Sequence, residues 1–207
     1  MDAQFWDDRY RSRDRLFSGD ANGSLVAEVA PMRPGRALDV GCGEGGDAVW
    51  LAGCGWRVRA VDISPTALER GRVAAAGAGV AGRIEWVRAD WAVAPPPVGV
   101  FDLVSAQYFP LLRASGEAGV RALVASVAPG GVLLVVGHDP GGVDRSHGFD
   151  PVDFYAPGDV AGLLGRGWSV EVDEVRERRV PGPAGTAHTH DVVLKPPGMC
   201  EGPICEK

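Results

Sequence analysis

The chain has 207 residues, 45% of them hydrophobic, and a net charge of -6 at pH 7. That length suits one domain better than two, and the acidic balance excludes a general attraction to a phosphate backbone. The start "MDAQFWDDRYRSRDR" is charged from its second residue, and no run of eighteen uncharged apolar residues occurs, so the sequence reads as a cytoplasmic protein without a membrane span.

Residues 1 to 30, which include "FWDDRYRSRDRLFSGDANGSLVAEV", are expected to form a helical, aromatic-bearing lid segment ahead of the first strand. From 31 to 196, short β-branched runs alternate with longer stretches rich in alanine and leucine, which is the rhythm of βαβ units. Strands are expected at 37–40, 57–61, 84–88, 101–105 and 132–137. Several are apolar throughout, as buried parallel strands are. Helices are expected at 46–53, at 65–76 with Ser64 as N-cap and Pro65 in the first helical position, and at 117–127 closed by "PGG". The polar stretch "HDPGGVDRSHGFDPVDFYAPG" then leads to a short helix near 158–164. "WSVEVDEVRERRV" and "HDVVLK", joined by "PGPAGTAHT", read as a late antiparallel hairpin. The expected architecture is α/β: a Rossmann-like, seven-stranded mixed sheet, mostly parallel with an antiparallel last strand and helices on both faces. Residues 197 to 207 have little to bury and read as a disordered tail.

The chemistry concentrates in "LDVGCGEGGDAVWLA", residues 38 to 52, where Gly41, Gly43 and Gly46 fit the dinucleotide fingerprint G-x-G-x-x-G. Ligands of open parallel sheets sit at the carboxyl ends of the strands, so this loop lines the site whatever the ligand. Asp39 discriminates between ligands. A carboxylate two residues before the first glycine repels a pyrophosphate, and it matches the sulfonium and ammonium of S-adenosylmethionine. Asp62 ends the second strand, where its two oxygens can accept both ribose hydroxyls. Asp90 follows the third strand, placed for an adenine amino group, with Trp91 or Ile63 offering an apolar face. Each aspartate alone has an ordinary reading as a turn or cap residue. Together with the glycine loop they favour the cofactor.

"ALDVGCGEGGDAVWLA", "WRVRAVDIS", "RADW" and "FDLVSAQYF" resemble the successive motifs of class I S-adenosylmethionine-dependent methyltransferases. The N-terminal segment and the closing "HTHDVVL" are similar to the branch that holds thiopurine S-methyltransferase and the tellurite-resistance methyltransferases. The resemblance implies that Asp39, Gly41, Cys42 and Gly43 hold the methionine side. It places Asp62 and Ile63 at ribose and adenine, Asp90 and Trp91 at adenine, and Ser105, Ala106 and Gln107 beneath the transferred methyl. In this branch the N-terminal segment closes over the site, which implicates Trp6, Tyr10 and Phe17. One departure is "SAQYFP" at the fourth strand, which lacks the N-P-P-Y type of sequence found in amino methyltransferases of nucleobases and glutamine. A small-molecule acceptor is expected, with no nucleic acid and no membrane partner. Sulfur, oxygen, nitrogen and metalloid acceptors stay open, and oligomeric state is not legible.

Methyl transfer needs alignment and dryness, plus a general base where the acceptor arrives protonated. Tyr108, His138, Asp139 and His147 fall after the fourth and fifth strands; His138 and Tyr108 are the leading candidates. His188 and His190 read as structural. Cys42, Cys54, Cys200 and Cys205 read as free thiols without metal-ligand spacing, and the pair in "CEGPIC" falls short of a complete soft-metal site. Two other readings stand beside the methyltransferase. An NAD(P)-dependent oxidoreductase would have to explain Asp39. A non-catalytic cofactor-binding domain of the same fold would bind without turnover.

Overall fold

The computed structural model describes residues 1–91, 93–94, 96–139, 150–177 and 190–196. His147, His188, Cys200, Cys205 and the whole expected tail lie outside the described residues. Seven strands form one sheet in the order β3-β2-β1-β4-β5-β7-β6. They are β1 (Arg36–Val40), β2 (Arg57–Asp62), β3 (Ile84–Arg88), β4 (Phe101–Gln107), β5 (Val127–His138), β6 (Val172–Glu177) and β7 (His190–Lys195). β1 to β5 pair in parallel, and β7 runs antiparallel to both β5 and β6. This is the mixed sheet expected from the sequence.

Among the described residues six α-helices pack around it: α1 (Ala3–Arg11), α2 (Gly23–Val29), α3 (Gly46–Gly53), α4 (Pro65–Gly77), α5 (Ala118–Ser126) and α6 (Pro157–Gly162). Successive strand residues point to opposite faces. Ala37, Val58, Ala60, Leu103, Leu134 and Val193 bury one face with Leu25 of α2, Leu51 of α3 and Leu68 of α4. Leu38, Val61, Val104, Leu133, Val135 and Leu194 bury the other with Val120 and Leu123 of α5 and Val160 of α6. Each fully buried leucine or valine contributes about 1.5–3 kcal/mol, so two continuous apolar layers hold the sheet rigid beneath the loops.

The same alternation positions the polar residues. Asp39, Asp62, Ser105, Gln107, His138 and Asp191 share the parity of the first set, so all six project on the face carrying α2, α3 and α4. They cluster at one edge of the sheet, where β1, β2, β4 and β5 end and the antiparallel β7 begins.

Local chemistry explains most boundaries. Ser64 caps α4 by accepting the Ala67 amide at 3.1 Å, with Pro65 in the first turn as expected. Asp2 caps α1 in the same way through the Phe5 amide at 2.9 Å. At "PGG" the structure differs from the expectation: α5 stops at Ser126, and β5 already begins at Val127 and runs through these residues. The register against β4 shifts between Phe101 and Leu103, Gly130 has φ 74°, and a Cβ on Gly131 would lie 2.9 Å from the Phe101 carbonyl oxygen. Proline and two glycines therefore build a bulge into the strand instead of ending a helix. The described residues joining β3 to β4 form turns and no helix, as the proline run in "APPPVG" requires. Among the described residues no helix is long and apolar enough to cross a membrane.

Candidate active site

After β1 the chain turns through Gly41, Gly43 and Gly45 with φ of 70°, 53° and 85°. Glycine takes this left-handed backbone without steric penalty. The amides of Gly41 and Cys42 donate to the Val61 carbonyl at 2.8 and 3.0 Å, so the loop is closed down against β2. A Cβ on Gly41 would collide with the Phe109 ring, and one on Gly43 would sit 3.0 Å from the Tyr10 hydroxyl. The missing side chains let Phe109 and Tyr10 pack directly against the loop backbone. Asp62 holds it in place by accepting the Gly43 amide at 2.9 Å and the Ser64 amide at 2.8 Å.

Three buried carboxylates surround the loop: Asp39, Asp47 in the first turn of α3, and Asp62. Their hydrogen bonds come from neutral groups. Asp47 accepts the backbone and side-chain amides of Asn22 at 2.7 and 2.8 Å, while Asp39 Oδ2 is buried with no hydrogen-bond partner. Burial pushes the Asp39 carboxyl well above its ordinary value, and the neighbouring charges of Asp47 and Asp62 push it further. Burial also raises Asp47 and Asp62, against the pull of their amide donors. Burial and mutual repulsion thus favour the neutral forms of these carboxyls, and an entering cation would favour the ionised ones. Burial, with the same carboxylates, raises the Cys42 thiol well above its usual value. It stays protonated, and its small volume is what the loop uses.

The N-terminal segment lies against this site and is held largely by acids. Asp7 accepts from the Ser64 hydroxyl at 2.8 Å and the Thr66 amide at 3.0 Å, and it pairs with Arg11 at 3.0 Å. Burial opposes ionisation there, but these hydrogen bonds and Arg11 outweigh it, and the carboxyl sits below its ordinary value. Glu44 accepts the Leu16 and Phe17 amides and the Arg70 guanidinium, at 3.1, 2.9 and 2.7 Å. Glu28 of α2 pairs with Arg176 and Lys195 of the β6–β7 hairpin. Tyr10 is buried and lies edge-on to Phe17, with ring centroids 5.9 Å apart. Burial raises its hydroxyl pKa well above the usual value, and the Asp62 and Glu44 carboxylates add to this, so Tyr10 remains a phenol.

On the other side, Gln107 Nε2 donates to Ser105 Oγ at 3.0 Å, and Gln107 Oε1 is buried without a hydrogen-bond partner. Ala106 points to the opposite face and offers the site only its backbone. Tyr108 has φ 53°, the one positive φ outside glycine among the described residues. Its hydroxyl donates to Asp191 Oδ1 at 2.7 Å, and its ring stacks on His138 with centroids 4.6 Å apart.

The structure thus gathers Asp39, Gly41, Cys42, Gly43, Asp62, Tyr10 and Phe17 at the loop, with Ser105, Gln107, Tyr108 and His138 beside them. Trp6 has its ring contact with Phe5, at 5.4 Å, and Ile63 is half-buried after β2. Asp90 is exposed, and its carbonyl accepts the Val93 and Ala94 amides. Trp91 is built into the α5 side, its indole donating to the Gly119 carbonyl at 2.9 Å and its ring edge-on to Phe109. Cys54 and His190 are exposed, and no cluster of three metal-ligating side chains occurs among the described residues. Sequence reasoning missed Glu44, Asp47 and Asp191. For Asp47 a signal existed, an acid in a helix first turn next to a glycine loop. Glu44 and Asp191 act through partners far along the chain, and local pattern does not show those.

Residues 37–131 match the family model described as a methyltransferase domain. The match runs from β1 into the bulge of β5 and takes in the glycine loop, Asp62 and the end of β4. A probable chloroplastic tocopherol O-methyltransferase of Oryza sativa subsp. japonica is 31% identical over 134 residues, which is 62% of this chain and 36% of that protein. The chain spans about half or less of the length of the curated relatives it matches. Among solved structures, a protein studied for the conversion of a disulfide bond into a thioacetal group during echinomycin biosynthesis superposes with a TM-score of 0.76 at 22% identity, covering 97% of this chain and 93% of its own. The N-methyltransferase NodS from Bradyrhizobium japonicum WM9, in complex with S-adenosyl-L-homocysteine, gives 0.72 at 17% identity, covering 96% and 99%. The sheet order and these superpositions show the fold shared with S-adenosylmethionine-dependent methyltransferases, and residues 37–131 match the model of a methyltransferase domain.

Proposed function

We propose that the protein is an S-adenosylmethionine-dependent methyltransferase acting on a small molecule through sulfur, oxygen, nitrogen or a metalloid. The observation that carries this reading is the buried, unpartnered Asp39 Oδ2 beside a loop of left-handed glycines. A buried carboxylate oxygen without a donor is costly, and an ammonium group supplies both the donor and the countercharge. A pyrophosphate supplies neither, which sets the NAD(P) reading aside.

When bound, S-adenosylmethionine supplies a methyl group already activated by its sulfonium. Asp39 takes the ammonium and Asp62 the ribose diol, while Ile63 and Asp90 border the adenine with Trp91 supporting the wall behind. Ser105, Ala106 and Gln107 line the methionine end. Trp6, Tyr10 and Phe17 on the N-terminal lid exclude water, which strengthens every charge interaction inside. Tyr108 and His138 face the acceptor, and His138 holds the proton released by a protic nucleophile. The branch resemblance and the net charge of -6 support a small acceptor over a nucleic acid.

Calorimetric titration with S-adenosylmethionine, S-adenosylhomocysteine and NADH tests the cofactor. Binding of the first two without the third is expected, and the reverse result would overturn the reading. Release of S-adenosylhomocysteine in the presence of an acceptor separates an enzyme from a non-catalytic binder.

A further inference from the structure

Gly46 completes the fingerprint G-x-G-x-x-G, but in the structure its bare Cα faces the N-terminal segment. It opens α3, and a Cβ built on it would lie 2.6 Å from the Asp20 carbonyl oxygen and 3.2 Å from the Gly19 carbonyl oxygen. Non-bonded atoms of this kind settle at about 3.5 Å, so one of the two backbones has to move aside if residue 46 carries a side chain. Both oxygens belong to main chain and cannot swing away as the tip of a long side chain does.

The surrounding contacts belong to the same docking. Gly19 turns the segment with φ 84°. Asn22 then donates its main-chain and side-chain amides to Asp47, the residue after Gly46, at 2.7 and 2.8 Å. Two residues before Gly46, Glu44 accepts the Leu16 and Phe17 amides at 3.1 and 2.9 Å. Gly45, between Glu44 and Gly46, instead makes room for Trp86 of β3 and Gly71 of α4. The loop is therefore divided. Its first half, Gly41 to Gly43, is tied to Val61 and Asp62 at the end of β2, while Glu44, Gly46 and Asp47 receive residues 16–22.

We infer that Gly46 is a positioning residue: its missing side chain is the notch in which Gly19 and Asp20 settle, and this seat holds Phe17 and its ring partner Tyr10 against Gly43. The docking stands on contacts within the chain, and only its effect on cofactor affinity rests on the methyltransferase reading. Helix propensity points the other way. Alanine is ordinarily the better helix residue, so if Gly46 served α3 alone, Gly46→Ala would tighten the protein. Gly53 ends the same helix, and a Cβ built on it meets nothing within 4 Å beyond its own stretch of chain. Gly53→Ala is therefore the matched control.

Hydrogen exchange read by mass spectrometry on the full chain, together with calorimetric titration of S-adenosylhomocysteine, tests both variants. Gly46→Ala is expected to speed amide exchange at residues 16–22 about three- to tenfold, the worth of one hydrogen bond, while exchange in β1, β2 and β4 stays as it was. Affinity for S-adenosylhomocysteine is expected to fall by a similar factor. Gly53→Ala is expected to change neither. Exchange at residues 16–22 that is unchanged in Gly46→Ala, or equally fast in Gly53→Ala, would overturn the inference. So would faster exchange spread through β1 and β2, or a Gly46→Ala variant that does not fold, since either would place Gly46 in the service of the sheet and not of the segment. Faster exchange with unaltered affinity would overturn the positioning role. Failure of S-adenosylhomocysteine to bind the unaltered protein would instead overturn the methyltransferase reading, and the exchange data would then decide the docking by themselves.

Discussion

The Gly43 amide donates to the Asp62 carboxylate at 2.9 Å, tying the loop after β1 to the end of β2. Asp62 shapes the glycine loop, and in the proposed function its remaining lone pairs accept from a ribose. Asp62→Ala is expected to weaken S-adenosylmethionine binding about ten- to a hundredfold, a loss of about 1–3 kcal/mol. His138→Ala, at the acceptor side, is expected to leave that affinity within a few-fold. Calorimetry on both variants checks the orientation of the cofactor: an intact Asp62→Ala beside a crippled His138→Ala would reverse it.

Asp39→Asn separates binding from stability. The substitution removes the countercharge for the ammonium, and affinity is expected to fall about ten- to a hundredfold. It also removes a buried charge repelled by Asp47 and Asp62, so the cofactor-free protein is expected to melt higher, by about 2–4 °C for each kcal/mol relieved. Differential scanning calorimetry and titration on the same sample read the two opposite signs. A variant that binds normally removes Asp39 from the site.

The raised Asp39 carboxyl also sets a pH dependence. A folded-state value above the unfolded one means that the native protein binds the proton more tightly, so this group's contribution to stability falls as pH rises through the window between them. The ionised form is the one that receives a cation. Cofactor affinity is therefore expected to decline as pH drops through the raised Asp39 value, with proton release on binding there and none well above it. Titrations in buffers of different ionisation enthalpy measure that release. Asp39→Asn is expected to flatten the profile.

Glu44 closes the N-terminal segment onto the site through two backbone amides and Arg70. Its side chain is 5% exposed, and Glu44→Ala leaves the part-buried Leu16 and Phe17 amides without this acceptor. Amide exchange and proteolysis between residues 12 and 22 are expected to speed up markedly in the variant, and S-adenosylmethionine is expected to slow both in the unaltered protein. Exchange unchanged by variant and cofactor alike would mean that the segment is fixed structure and no lid.

The strands and the glycine loop were legible because their signals are local. Val40, Val61 and Val104 sit in short apolar runs, and Ser64 with Pro65 writes a helix start directly into the sequence. The "PGG" of residues 129 to 131 misled because a helix end and a bulged strand use the same residues, and only the neighbouring Phe101 carbonyl decides between them. The acids of the site divide the same way. Asp39 and Asp62 announce themselves at strand ends beside glycines. Glu44 and Asp191 are ordinary in their own neighbourhoods, and their importance comes from Phe17 and Tyr108, 27 and 83 residues away. Trp91 was legible as an aromatic after β3, whereas the bond from its indole N–H to the Gly119 carbonyl, 28 residues on, was not.

The attachment of the N-terminal segment is asymmetric in a way that bears on how the protein can change. At Leu16, Phe17 and Asn22 the segment contributes its main-chain amides, and the carboxylates that receive them, Glu44 and Asp47, lie after β1. A main-chain donor survives nearly any exchange of its side chain, proline excepted. The side chain at 16 is accordingly open to exchange without loss of these hydrogen bonds, whereas Phe17 is also held by its ring contact with Tyr10.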